Sequence, residues 1–345
     1  MKRITVTALS ILVLMLSAMP SGSVSAASNS LGVNPRRDYV VKAGDELTET
    51  LVVSNLSKTE DLNITVRIVD FEAKDQTGSP SLLLKRQEPT RWSLKPYITL
   101  PKTVTVAAGK STDVPFTITI PKDTGAGSFY SAIQYSTDGG DSGQNVTLAS
   151  SSATLMFVRV PGEARNNLTL ENFGAFTPNA DRSSGAYATF YGSAAPKYLS
   201  YALNNKGNVA EQPVGSVSLK NMFGKEVSII EDANPSKNIV LIDQTRRIDL
   251  CLNEERGERK DPDTGRTVET VDCKDFKLMP GRYTAQLALL YGDNGSSSRE
   301  LNATASFWYL PAWSIILLVV VLALIAGLVY FIVRKLKGGR RGARR

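Results

Sequence analysis

The chain has 345 residues, 40 Lys and Arg against 33 Asp and Glu, no histidine and two cysteines. Without histidine there is no Ser-His-Asp or Cys-His catalysis, no His-ligated zinc and no ordinary near-neutral general base. The net charge of +7 sits at the two ends: Lys2, Arg3 and the seven bases after residue 333 are nine of the 40 cations, which leaves 31 bases against 33 acids between them. The body of the chain therefore has no electrostatic motive for nucleic acid.

The first segment reads as a signal peptide over residues 1–26. Met-Lys-Arg is a basic start, an apolar run follows, and Val24-Ser25-Ala26 is a small-residue cleavage site.

Residues 27–161 read as one β domain. Apolar and polar residues alternate in Leu62-Asn-Ile-Thr-Val-Arg-Ile68 and in Val114-Pro-Phe-Thr-Ile-Thr-Ile120, as in half-buried strands. Turn signals at Ala43-Gly44-Asp45, Asn55-Leu56-Ser57 and Ala108-Gly109-Lys110 separate the runs. Trp92 and Tyr97, with Phe129 and Tyr130 on a later strand, are candidate ligand-binding aromatics, because flat apolar rings suit sugar faces. The competing reading for each is sandwich core. Asp123-Thr-Gly125 recurs as Asp263-Thr-Gly265, the triplet that aspartic proteases use in pairs. Here no apolar strand leads into either copy, so both read as turns. Gly125-Ala-Gly127 lacks a third glycine and a following helix, so it is no nucleotide loop. Asp138-Gly-Gly-Asp141-Ser-Gly143 reads as a polar hairpin tip and not a calcium loop.

A boundary falls at Pro161-Gly162, and residues 162–310 read as a second β domain. Its clearest strand is Tyr283-Thr-Ala-Gln-Leu-Ala-Leu289. Each half has an early strand ending in an Asn turn, at Asn55 and at Asn205. Each also has a glycine leading into a late Tyr-bearing strand, Gly127 to Tyr130 and Gly281 to Tyr283. Many short strands without a helical period predict an all-β fold: two antiparallel, immunoglobulin-like sandwiches. Cys251 and Cys273 are expected to form a disulfide in an exported domain, pinning the ends of a charged, solvated loop.

Residues 311–333 form the expected membrane span. Trp313 to Val333 is 21 residues without a charge, about 31 Å of helix against a hydrocarbon core of about 30 Å. The remaining residues, 334–345, are a basic tail: Arg334, Lys335, Lys337, Arg340, Arg341, Arg344 and Arg345, spaced by Gly338, Gly339 and Gly342. The glycines point to a flexible cationic strand that meets anionic lipid headgroups. Cleavage at one end and cationic residues at the other predict a single-pass plasma-membrane protein, N-terminus outside and C-terminus cytoplasmic.

Both halves carry a resemblance. The first half, with VVKAGDELTETLVVSNLS, WSLKPYITLPKTVTVAAGKSTDVPFTITIP and GSFYSAIQY, is similar to the N-terminal domain of the WxL-interacting protein family. The second half, with YALNNKGNVAEQPVGSVSLKNMFGKEV and LMPGRYTAQLALLYG, resembles that family's second domain. The order of signal, two immunoglobulin-like domains, one helix and basic tail matches too. The resemblance implies a bacterial, non-catalytic surface protein without a cofactor. Its first domain would be associated with peptidoglycan, and its second with a surface or host protein. The alternative from another class is a membrane-tethered, chaperone-like assembly factor that lends a sheet edge to secreted subunits.

Overall fold

The computed structural model describes residues 31–137, 141–142, 145–146, 151–260, 267–292 and 298–339. The expected signal peptide, Asp263-Thr-Gly265, most of the Asp138–Gly143 tip, and Arg340, Arg341, Arg344 and Arg345 lie outside the described residues.

The first sandwich is built from β1 (Leu31–Val33), β2 (Arg36–Val40), β3 (Glu46–Asn55), β4 (Leu62–Val69), β5 (Phe71–Ala73), β6 (Pro80–Leu82), β7 (Ile98–Thr99), β8 (Thr103–Val106), β9 (Ser111–Thr119) and β10 (Gly127–Thr137). A two-residue pair, β11 (Asp141–Ser142) and β12 (Asn145–Val146), precedes the last long strand, β13 (Ser151–Val160). One sheet runs β1-β3-β9-β7 and the facing sheet β2-β13-β10-β4-β8. The alternation visible in the sequence puts Ile64, Val66, Val114, Phe116 and Ile118 inside.

The second sandwich repeats the plan. It contains β14 (Leu168–Pro178), β15 (Gly185–Tyr187), β16 (Phe190–Tyr191), β17 (Tyr198–Asn205), β18 (Val214–Asn221), β19 (Glu226–Ile230) and β20 (Thr245–Cys251). Two more, β21 (Glu254–Lys260) and β22 (Thr267–Cys273), form a separate ribbon, and β23 (Gly281–Tyr291) and β24 (Arg299–Tyr309) complete the fold. Its sheets run β15-β14-β17-β20 and β16-β24-β23-β18-β19. Both halves are immunoglobulin-like. In both, a short early strand crosses to the second sheet and pairs parallel to the last one, β2 with β13 and β16 with β24.

The parallel seen in the sequence has a structural counterpart. Asn55 Nδ2 donates to the carbonyls of Glu60 and Val106, and Asn205 Nδ2 to those of Val209 and Val240. Each buried amide ties a strand end to neighbouring loops and satisfies the buried carbonyls of Val106, Val209 and Val240.

Two expectations need correction. The stretch between the cysteines is not a loop: β21 and β22 pair in register from Glu254↔Cys273 to Lys260↔Thr267. Every residue of β21 is exposed, so no buried face imposed the alternation by which strands are recognised. The helix α1 (Ala312–Gly339) also runs past the span, so Arg334, Lys335 and Lys337 continue it and are not a flexible strand. Ala312–Lys335 is long and apolar enough to cross a membrane, and no part of it is buried against the sandwiches.

Candidate functional site

The two sandwiches are joined by an apolar cluster at their junction. Val69, Phe71, Tyr130 and Ala132 of the first pack with Leu241 and Ile242 of the second. Hydrogen bonds flank it. Ser128 N donates to Asn208 O at 2.9 Å, Asn208 Nδ2 to Ala126 O at 2.9 Å and Ala210 N to Ser128 Oγ at 3.0 Å. On the other flank the β5–β6 hairpin reaches down onto β20. Arg247 N donates to Gln76 O at 2.6 Å and Ala73 N to Gln244 Oε1 at 2.8 Å.

Of the sequence-predicted aromatics, Tyr130 and Trp92 pack at this junction and Tyr97 and Phe129 against the core of the first sandwich. Trp92 and Phe129 also line a separate cleft of about 240 Å³ with Arg91, Arg165 and Asn208. Tyr130 is fully buried, 5.3 Å from Phe71, 5.6 Å from Phe157 and 6.0 Å from Trp92, and offers no face to a sugar ring. Burial drives its phenol far above the ordinary value. Trp92 is partly buried, with the Arg91 guanidinium 5.5 Å from its ring. Tyr97 and Phe129 are partly buried and meet edge to face at 5.4 Å. The loop bearing Trp92 is fixed by the buried Asp70 carboxylate, which accepts Ser93 Oγ at 2.6 Å, Ser131 Oγ at 2.8 Å and Thr90 N at 3.0 Å.

A concave site lies in the angle between the sandwiches, about 230 Å³ in volume. Its apolar wall is Phe71, Leu155, Phe157, Ile239 and Leu241. Its charged lining is cationic throughout: Arg36, Lys237 and Arg246. Each cation is positioned by a different device. Arg36 lies 5.2 Å from the Phe157 ring and pairs with Asp38 at 2.8 Å. Lys237 has φ +50°, in a turn organised by the buried Asn234, whose Oδ1 accepts Asn238 N and whose Nδ2 donates to Pro213 O and Asn238 O. Arg246 donates to Asn238 Oδ1 at 2.6 Å and to the carbonyls of Gly78 and Ile239 at 3.3 Å. Burial lowers its pKa from the ordinary arginine value. Apolar walls with convergent cations suit an apolar segment that carries a carboxylate.

Sequence reasoning missed this site because its walls come from five separate stretches. None is a motif, and only the fold brings Arg36 and Arg246 together. Asp123-Thr124-Gly125 is a turn, with Thr124 N donating to Pro121 O, and Asp123 is exposed. Cys251 and Cys273 are bonded to each other, with Cα atoms 5.4 Å apart. Among the described residues no group of three or more His, Cys, Asp or Glu side chains is placed to hold a metal ion.

No protein-family model and no curated protein matches the chain. Solved structures similar to it include the class 5 fimbriae chaperone CfaA, at 14% identity over 80% of this chain and 98% of that one, TM-score 0.37. The E. coli chaperone DraB is 14% identical over 70% of this chain and 98% of its own, TM-score 0.33. The Salmonella enterica SafA pilin–SafB chaperone complex matches at 11% identity over 81% and 99%, TM-score 0.33.

Proposed function

We propose that this chain is a non-catalytic bacterial surface protein, held in the plasma membrane by α1, whose two sandwiches receive a polypeptide in the angle between them. The observation that carries the reading is the interdomain cleft, apolar on its walls with Arg36, Lys237 and Arg246 converging on it. That chemistry fits the carboxylate end or an acidic apolar segment of a secreted protein better than a neutral polymer. The enclosure of Tyr130, which leaves its ring no face for a sugar, weighs in the same direction. The chain would therefore act as a membrane-tethered assembly or presentation factor, with its sandwiches outside and its tail in the cytoplasm. The resemblance to WxL-interacting proteins supports the surface location and the protein partner.

A photo-crosslinking residue at Ile239 of the full chain in cells tests this. A polypeptide adduct that disappears when Leu155→Glu closes the apolar wall is expected. An adduct unaffected by that change overturns the cleft as the seat of the partner, and no adduct together with pelleting on purified cell wall overturns the reading in favour of wall-polymer binding.

A further inference from the structure

The end of the second sandwich nearest α1 carries apolar side chains that no described residue covers. Phe223 is 86% exposed, Met279 79%, Phe190 55%, Met222 52% and Trp308 42%. The strand register gathers them at one end of one sheet. Gly281 lies opposite Tyr309, Phe190 is beside Trp308, and Asn221 is opposite Tyr283. A Cβ built on Gly281 would sit 3.1 Å from the Met222 methyl, so the β18–β19 turn lies against the strand that follows Met279.

That turn is rigid and has the wrong composition for water. Asn221 Oδ1 accepts Phe223 N and Lys225 N, each at 3.0 Å, and Gly224 N donates to Asn221 O at 2.9 Å. Solvated turns place Gly, Asn, Asp or Ser at their centre. Here Met222 and Phe223 stand there.

The position of α1 says what meets them. Only Leu310 and Pro311 separate β24 from the membrane-spanning helix, and Leu310 N is held by Tyr191 O at 2.9 Å. Three residue steps reach at most about 11 Å, and the headgroup zone on each side of the hydrocarbon is about 5–8 Å deep. We infer that the base of the second sandwich, led by Phe223 and Met279, is seated in the outer headgroup layer around α1, so that the sandwich stands at a fixed angle to the membrane. Amphipathic edges of this kind pair apolar tips with cations for lipid phosphates. Lys225 on the turn and Arg282 opposite Trp308 supply them. The inference is independent of what occupies the interdomain cleft.

The test is the full chain reconstituted one copy per phosphatidylcholine–phosphatidylglycerol nanodisc with two photoreactive lipids, one carrying a diazirine in the headgroup and one in the acyl chain, illuminated and mapped by mass spectrometry. Adducts at Met222, Phe223 and Met279, in addition to those along α1, are expected. Phe223→Asp should lower labelling at Met279 at least fivefold and leave helix labelling unchanged. Adducts confined to α1 overturn the inference. So does protection of Phe223 that appears only when two copies share a disc, since a second chain would then be the occupant.

Discussion

Gly127 and Asn208 meet across the junction of the two sandwiches: a Cβ on the glycine would lie 2.8 Å from the Asn208 carbonyl oxygen. That carbonyl cannot retreat freely, because it accepts Ser128 N at 2.9 Å. Gly127 also has φ +154°, which a side chain rarely adopts. Gly127→Ala is therefore expected to cost about 2–3 kcal/mol, combining backbone strain with a displaced contact. Gly109→Ala is the control, at φ +64° with nothing within 4 Å of its Cβ, and should cost about 1 kcal/mol. Denaturant midpoints of the full chain in detergent measure both, and equal losses would show that the junction contributes nothing.

The buried phenols set an alkaline limit. Burial pushes the Tyr135 phenol up to about 12 from 10.0. Below pH 10 the folded and unfolded chains both hold this proton. Between pH 10 and about 12 the unfolded chain releases it while the folded chain keeps it, so stability falls by about 1.4 kcal/mol per pH unit for this group. Tyr201 is shifted upward in the same direction by burial and adds to the fall. Tyr135→Phe should make the decline of the midpoint above pH 10 shallower by that amount. Parallel curves for the two proteins would contradict the assignment.

Cys251 and Cys273 close the β21–β22 ribbon, whose β21 strand is exposed throughout. Replacing both by alanine should remove about 3 kcal/mol by the loop-entropy argument. The ribbon should become protease-sensitive while the sandwich core, resting on residues such as Tyr201 and Leu287, stays folded. Alkylation before and after reduction checks the bond itself: two thiols labelled without reductant would sink it.

The strands with one buried face were legible because alternation is a direct imprint of burial. Leu62–Val69 and Gly281–Tyr291 contain the runs read from the sequence. The Asn55 and Asn205 turns were legible for a related reason, since an amide that must satisfy two carbonyls leaves a residue-type signal. The ribbon was not, because β21 has no buried face to impose alternation. The cleft was not, because Arg36 and Arg246 are 210 positions apart and each alone resembles an ordinary surface cation. Trp92 and Tyr130 were visible as large aromatics, but whether a ring meets a sugar or the neighbouring sandwich depends on a junction the sequence does not encode locally.

The cationic end should act by charge and not by order. Arg334, Lys335 and Lys337 extend α1, and four more arginines follow residue 339. Each cation near an anionic leaflet is worth about 1 kcal/mol. Scrambling residues 334–345 should leave membrane insertion and lipid co-sedimentation nearly unchanged, while replacing all seven cations by Gln should weaken both and loosen orientation. Protease added to intact protoplasts reads the orientation: only α1 and the tail should survive. A scrambled tail as defective as a neutral one would mean that a specific cytoplasmic partner reads this segment.

Arg36 and Arg246 line the same cleft but should separate on mutation. Arg36 makes a two-pronged pair with the exposed Asp38, lies over the Phe157 ring and donates to Gln212 Oε1 at 3.4 Å. Surface pairs contribute about 0–1 kcal/mol, with two-pronged ones at the upper end, so Arg36→Glu, which also sets a carboxylate beside Asp38, should cost about 1 kcal/mol. Arg246 holds the loop at Asn238 and Ile239 and the hairpin at Gly78 through one guanidinium fork. Lysine cannot reproduce that fork, so Arg246→Lys should cost about 1–3 kcal/mol by leaving buried acceptors unpaired. If the cleft receives a carboxylate-bearing segment, Arg36→Glu should cut the Ile239 photo-adduct at least tenfold, far more than its small stability cost accounts for, because it reverses a charge that lines the cleft. Retention of the adduct in Arg36→Glu would show that the cleft captures its partner by apolar contact alone, and the carboxylate would drop out of the account.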